Sequence, residues 1–356
     1  MKIAALPLDG RVVARDTVRC GRRPSAREGS VLILVLWTLL FLGGLALATR
    51  SYVLGHLRLA RALRDRAQSY FLACAGVETA VAIAGQDTNR WDALQEPWSL
   101  DERAFRDVRL ATGSFDVRAR VAHDEQAMRF GLLDEERKIN LNRAGARLLA
   151  AVLVRVGRTD SLTAERISAS ICDWRDEDDE PLEDGAEKDY YGGRRARYEC
   201  HNGPFLAVRE LRLVRGMTDA LFARLRVHLT VHGSGRVNVN TASETILMCL
   251  LDAVGAEEPA VRSELVGKIL RFREAGGVFR SARGPELVAV LARHAALSQG
   301  ERAAWQRLSQ SGLVDVRSTH FGGEAVGRVE GDSPQTTRID FVFNRRSGGL
   351  RYWHEE

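Results

Sequence analysis

Val31 to Thr49 is a run of 19 residues without a charge, and the basic cluster Arg22-Arg23-Pro-Ser-Ala-Arg27-Glu28-Gly29-Ser30 stands directly before it. An apolar stretch of about 20 residues crosses a bilayer as a helix. The chain is therefore expected at a membrane. Lys2, Arg11, Arg15, Arg19, Arg22, Arg23 and Arg27 precede the run, and only Arg50 follows closely. Basic flanks stay cytoplasmic, which places the roughly 300 residues after Arg50 outside the cytoplasm. A secretory signal cut within Gly43-Gly44-Leu45-Ala46-Leu47-Ala48 is the alternative, although the apolar core of such a signal is usually shorter.

The sequence beyond the run argues for an uncut anchor. No proline interrupts residues 50–84, and Val53, Leu57, Ala60, Leu63, Ala67, Tyr70, Cys74, Val77 and Val81 recur at three- and four-residue steps. That stripe belongs to an amphipathic helix, and the apolar span is expected to continue straight into it. Farther on, Ser114-Phe-Asp-Val-Arg-Ala-Arg-Val121 alternates apolar and polar positions as a half-buried strand does. Ile339-Asp-Phe-Val-Phe343 and Leu350-Arg-Tyr-Trp353 are two more short strands, separated by the turn signal Ser347-Gly348-Gly349. The expected fold class is α+β, with the long helix packed on a small antiparallel sheet.

Between these strands lies an internal repeat. Ile139-Asn140-Leu141-Asn142-Arg-Ala matches Val237-Asn238-Val239-Asn240-Thr-Ala at an offset of 98 residues, and Ile171-Cys-Asp-Trp174-Arg-Asp falls on Ile269-Leu-Arg-Phe272-Arg-Glu at the same offset. Asn202-Gly-Pro-Phe205 then corresponds to Gly276-Gly-Val-Phe279, and Glu210-Leu211 to Glu286-Leu287. Two related helical units follow, inserted over about 138–318 and split into 138–236 and 237–318. The remaining parts are a leader (1–29), a membrane segment (30–49), the helix with the first strands (50–137) and the closing strands (319–356). An apolar helical stretch follows each Asn-x-Asn segment, so the second Asn or its successor is expected to cap a helix.

The first unit is longer than the second by an acidic insertion of about 24 residues. Ten carboxylates occur from Asp173 to Asp189, opposed only by Arg175 and Lys188. Such a density repels itself unless it is solvated or neutralised, and oxygen-rich loops suit Ca²⁺, which takes six to eight oxygen ligands. Asp176-x-Asp178 and Glu187-x-Asp189 each place two carboxylates on one side of an extended segment, which makes these four the candidate ligands. The spacing is not that of an EF-hand, and a solvated acidic loop is the alternative. Cys172 and Cys200 bracket the insertion, and a bridge between them would staple it. Cys74 and Cys249 fall on apolar stripes and are expected in the core.

The formal net charge is +5. Seven basic residues against Asp9, Asp16 and Glu28 leave +4 in the leader, so the rest carries only +1. That weakens any argument from attraction to phosphates. The paired units also resemble helix-hairpin-helix proteins such as the DNA receptors of natural competence, and a membrane-anchored DNA-binding protein is the alternative function. Leu153-Val-Arg-Val-Gly157, Leu213-Val-Arg-Gly216-Met217 and Leu251-Asp-Ala-Val-Gly255 all lack the Pro-Gly pair of the phosphate-binding hairpin, so no nucleic-acid partner is expected. No Walker loop, nucleophile elbow or nucleotide fingerprint is present, and the expected function is non-enzymatic.

Taken together, the basic leader ending in Gly29, the apolar helix and the ordered insert resemble the type IV pilin and pseudopilin class. Within it they resemble the minor pseudopilin K family of type II secretion systems. The resemblance implies cleavage between Gly29 and Ser30 by a prepilin peptidase, which discards Cys20 with the leader. Class members normally carry Glu at the fifth mature position, and here that position is Leu34. A buried carboxylate is costly without a partner, so an apolar residue suits a subunit with no neighbour above it. The resemblance further implies a single-pass protein of the bacterial inner membrane with its bulk in the periplasm. Its implied partners are minor pseudopilins I and J and the major pseudopilin filament, its implied place is the tip that initiates the pseudopilus, and Ca²⁺ in the segment Gly185-Ala-Glu187-Lys-Asp189 is implied as a structural ion.

Overall fold

A computed structural model describes residues 27–121, 124–193, 198–255, 258–330 and 334–356. The leader up to residue 26, Cys20 included, lies outside the described residues. The chain divides into two compact units, Met1–Leu63 and Arg64–Glu356. Helix α1 (Arg27–Gln86) starts in the first, where every described side chain from Ser30 to Leu63 is exposed, Leu34 among them. A helix that is apolar on all sides and uncovered by its own chain is what a bilayer accepts. In the second unit only the C-terminal end of the expected stripe packs, with Val77 buried, Tyr70, Cys74 and Val81 partly so and Ala67 exposed; the buried face is centred one position away, on Leu72, Ala73, Val77, Ala80 and Ala84. Val53, Leu57, Ala60 and Leu63, on the same stripe, remain exposed.

Two short helices, α2 (Pro97–Leu100) and α3 (Glu102–Phe105), bring Trp98 and Phe105 into the core beneath α1. The sheet follows as β1 (Val108–Leu110), β2 (Gly113–Val121), β3 (Asp124–Phe130) and β4 (Leu133–Asp134). It is completed, after the insert, by β9 (His320–Val329), β10 (Gln335–Asn344) and β11 (Leu350–Glu355). The order is β1-β2-β9-β10-β11, antiparallel throughout, with β3 paired to β2 and β4 to β9. Phe115, Val117, Ala325, Ile339, Phe341 and Phe343 form the face against α1. The turn Ser347-Gly348-Gly349 joins β10 to β11 as expected. The central strand β9 is not evident in the sequence, because Gly322, Gly323 and Gly327 dilute its alternation. Gly327 has a packing reason, since a Cβ there would strike the Ser69 carbonyl and the Ala73 amide of α1. Helix and strand backbones touch at that point.

The insert has its own, larger core. The first unit runs from β5 (Ile139–Asn140) through α4 (Ala146–Arg155), α5 (Ser161–Arg175), α6 (Lys188–Gly192) and α7 (Asp219–Leu225) to β6 (Leu229–Thr230), which pairs in parallel with β5. The second runs from β7 (Val237–Asn238) through α8 (Glu244–Ala253), α9 (Pro259–Glu274), α10 (Gly284–His294) and α11 (Gln299–Gln310) to β8 (Val314–Asp315), parallel to β7. Cys249 is fully buried in this core.

The repeat recurs in the hydrogen bonds. Asn142 accepts from Phe205 N (2.7 Å) and donates to Phe205 O (2.9 Å), while Asn240 makes the same pair with Phe279 (2.9 Å each). Asn140 and Asn238 each accept from the amide two residues on. Arg175 donates to the Leu141 carbonyl, and Arg273, at the same offset, to that of Ala242 (2.6 Å). The capping expectation is therefore corrected. Helices α4 and α8 start after Gly145 and Ser243, and it is Ser243 that accepts from Ile246 N. Asn142 and Asn240 instead satisfy backbone groups of a distant loop, which would otherwise be buried unpaired.

The insert is fastened to the sheet by a buried polar joint. Asp134 Oδ2, at the end of β4, accepts from Thr241 (2.6 Å), Ser318 (2.7 Å) and Asn238 (3.1 Å). Asn238 also donates to the Asp92 carbonyl, and Asp92 pairs with Arg345 (2.5 Å).

Candidate metal centre

Helix α5 ends at Arg175, and the acidic insertion begins there. Asp173 lies on the buried side of this helix, behind Ala169 and Ser170, and its carboxylate turns into the loop. It accepts from Ala186 N (2.6 Å) and Leu182 N (3.2 Å), drawing the far end of the loop back onto the helix. A Cβ at Gly185 would collide with this carboxylate, so glycine there permits the approach. Glu187 follows and is buried just before α6.

As a result Asp173, Asp176 and Glu187 each offer a carboxylate oxygen within 4.8 Å of the others. Both oxygens of Glu187 and Oδ1 of Asp176 are buried without a hydrogen bond. Burial foremost pushes Glu187 up to about 7, and the charges of Asp173 and Asp176 add to the shift while the Cys200 thiol opposes it. Asp176 and Asp173 are also raised, first by burial and then by neighbouring charge. Uncompensated buried carboxylates are costly. A cation would supply the missing partner, and an all-oxygen donor set suits a hard one such as Ca²⁺. The residues present fit the ion.

Of the four ligand candidates named from spacing, Asp176 and Glu187 are in this cluster. Asp178 is exposed, and its Oδ1 accepts from Glu180 N (2.9 Å). Asp189 is exposed and falls outside the cluster. The pairing Glu187-x-Asp189 assumed an extended segment, whereas α6 begins at Lys188, and helical periodicity sends residues two apart to different sides. Asp173 takes the third place. Its signal in the sequence is an Asp set among the buried positions of a helix. Cys172 and Cys200 are both free thiols in this structure. Cys200 Sγ lies 3.9 Å from the Asp173 carbonyl, and burial foremost pushes it up to about 11. Cys172 instead faces Arg175.

Aromatic rings close one side. Trp174 packs edge-on against Tyr191 at 5.1 Å and stacks with His201 and Phe205 at 6.4 Å. Arg215 lies over Tyr190 and donates to the Gly185 carbonyl (2.8 Å).

Residues 115–234, which contain this centre, match the family described as type II secretion system protein K. A type II secretion protein K from Klebsiella pneumoniae is 32% identical over 134 residues, 37% of this chain and 40% of that protein. One from Dickeya chrysanthemi is 42% identical over 84 residues, 23% of each. One from Aeromonas hydrophila is 28% identical over 190 residues, 51% of this chain and 50% of the relative. The chain thus spans between a quarter and half of these relatives' length. In fold it is similar to a chain of the crystallised GspK-GspI-GspJ complex of enterotoxigenic Escherichia coli, with a TM-score of 0.60 and 18% identity over 83% of this chain and 99% of that one.

Proposed function

We propose that this chain, which carries the protein K domain of a type II secretion system over residues 115–234, is a minor pseudopilin that caps and initiates the periplasmic pseudopilus and thereby supports protein export. One observation carries the reading: the K domain stands in the same chain as an apolar helix that its own chain leaves uncovered and that follows a basic leader. Prepilin peptidase cuts between Gly29 and Ser30, the apolar half of α1 stays in the inner membrane, and the sheet and insert lie in the periplasm. The protein assembles with minor pseudopilins I and J and sits on the major pseudopilin filament. Two features support the tip. Leu34 supplies no carboxylate for a subunit above, and an insert of this size, about 138–318, would obstruct stacking at every step of a filament. The role is structural, and Ca²⁺ held by Asp173, Asp176 and Glu187 fixes the acidic loop by neutralising carboxylates that otherwise repel one another.

Mass spectrometry of the membrane-purified protein tests the processing. A mature N-terminus at Ser30 is expected, and Gly29→Leu should leave an unassembled full-length precursor. A mature terminus at or beyond Leu45, indifferent to Gly29, would remove the pilin reading. Co-expression with pseudopilins I and J should yield a complex at very few copies per filament, and immunogold label spread evenly along the pseudopilus would contradict the tip.

A further inference from the structure

Besides the buried joint at Asp134, two histidines bridge the insert and the sheet. His232 belongs to the linker between the two units of the insert, and His320 opens β9. Their half-buried rings stack with centroids 6.3 Å apart and planes 18° from parallel. The hydrogen bonds around His320 fix its protonation state. Thr319 Oγ1 donates to Glu136 (2.9 Å) and so accepts from His320 Nδ1 (2.8 Å). Asn344 Oδ1 accepts from Arg346 N (2.9 Å) and Ser347 N (3.2 Å), which turns its Nδ2 toward His320 Nε2 at 3.3 Å. One ring nitrogen therefore donates and the other accepts, as the neutral imidazole does and the imidazolium does not. A proton on Nε2 would set donor against donor, and Asn344 could answer it only by releasing the turn that joins β10 to β11.

The surrounding charges are already engaged. Glu136 ties the linker to the sheet, accepting from Ser234 N (2.9 Å), Thr319 N (2.5 Å) and His320 N (3.2 Å). Glu135 accepts from Lys138 (2.6 Å) and Thr230 (2.6 Å). Arg345 is held by Asp87 and Asp92. Burial foremost lowers both histidines below the ordinary 6.5. Glu135 opposes this at His232 and Glu136 at His320, while Arg351 adds to it at both and Lys138 at His232. We propose that this cluster is an acid-sensitive latch between insert and sheet: neutral His320 holds it closed, and protonation of His320 frees the linker 231–236 and the turn 344–349 together. The closed form binds the proton less readily than the open one, so closure is fully favoured above 6.5 and is lost as pH falls below that value. Asp92 and Asp134 in the neighbouring joint are raised, first by burial, and act on overall stability in the opposite direction. The latch therefore shows in local opening and not in the melting temperature.

Hydrogen–deuterium exchange of the detergent-solubilised full chain, read by mass spectrometry at about pH 7.5 and about pH 5 and corrected for the intrinsic rate, tests the latch. Protection over 231–236 and 344–349 should fall roughly tenfold at the lower pH, the factor that one pH unit between the proton affinities of the closed and open forms gives, while α8 keeps its protection. His320→Gln retains an acceptor for Asn344 but takes no proton, so it should remove the fall. His232→Gln, with His320 intact, should keep it. In the unaltered protein, NMR of carbon-13-labelled histidine should show imidazoles titrating below 6.5 over the same pH range as the loss of protection. Unchanged protection at the lower pH, a fall that persists in His320→Gln, or no imidazole titrating below 6.5 would overturn the proposal.

Discussion

The first and second units of the insert share a frame and differ in what the frame holds. Each is closed by a parallel pairing of its first and last strands, each has an Asn gripping a Phe backbone, and each has an Arg reaching back to a carbonyl near the opening strand. In the second unit the chain turns at Gly276 and Gly277 after α9 and reaches Phe279 within six residues of Arg273, with Gly277 N donating to Phe272 O (2.8 Å). In the first, 30 residues separate Arg175 from Phe205. The comparison teaches that the frame is set by its two ends, Asn and Phe, so a long loop can be inserted between them without loosening either. Loop entropy grows only slowly with length. The larger cost here is electrostatic, and it falls on the buried Glu187.

The largest test of the shared frame is removal of its asparagines. Asn240→Ala strands two backbone groups of Phe279 in a fully buried site and should cost about 3 kcal/mol or more by urea denaturation. Asn142→Ala should cost less, because Asn142 is only partly buried. Equal losses would show that the two frames are equally dry.

Next in size is the response to a cation, expected in the first unit alone. Ca²⁺ at a hundred times its dissociation constant should stabilise the protein by about 2.7 kcal/mol, read as a rise in melting temperature after EDTA treatment. Asp173→Asn with Glu187→Gln should abolish the rise, and so should Asp178→Asn with Glu187→Gln. Calorimetry without a binding signal would leave the cluster as a solvated loop.

Smaller effects should appear in the pH dependence, with opposite signs in the two units. Glu187 is raised in the folded protein, so without a cation it keeps a proton that the unfolded chain has released. Its contribution is full below the ordinary value of 4.5 and lost as pH rises toward about 7. Glu301, in the second unit, is lowered: burial raises it, but the bonds from Lys268 and Ser298 outweigh that. Its contribution is present above its ordinary range and lost as pH falls. Replacing Glu187 by Gln should therefore flatten the loss of stability toward neutral pH, and replacing Glu301 by Gln the loss toward acid. The same slope in both variants would break the contrast. The smallest effect belongs to Asp189→Asn, expected within about 0.5 kcal/mol as for other exposed positions, with the cation response kept.

Several features could be read from the sequence because they depend on neighbours along the chain. The uncharged run before Arg50, the helical periodicity that continues it into α1, the alternation of β2 and β10, and the 98-residue repeat are all local patterns of hydropathy or identity. Periodicity reports which side of an element is apolar, and the solvent does the sorting. It does not report what lies across from that side. Only the tertiary structure decided that Asn142 and Asn240 bind remote phenylalanine backbones instead of capping helices, and that β9, with its glycines, lies at the centre of the sheet, where Gly327 lets α1 approach. It also chose Asp173 over Asp189 in the acidic cluster, by starting α6 at Lys188 and folding the loop back over α5. Each of these choices rests on contacts between residues far apart in the chain. Such contacts follow from the direction in which each side chain leaves its backbone, which a sequence does not record until the elements have packed.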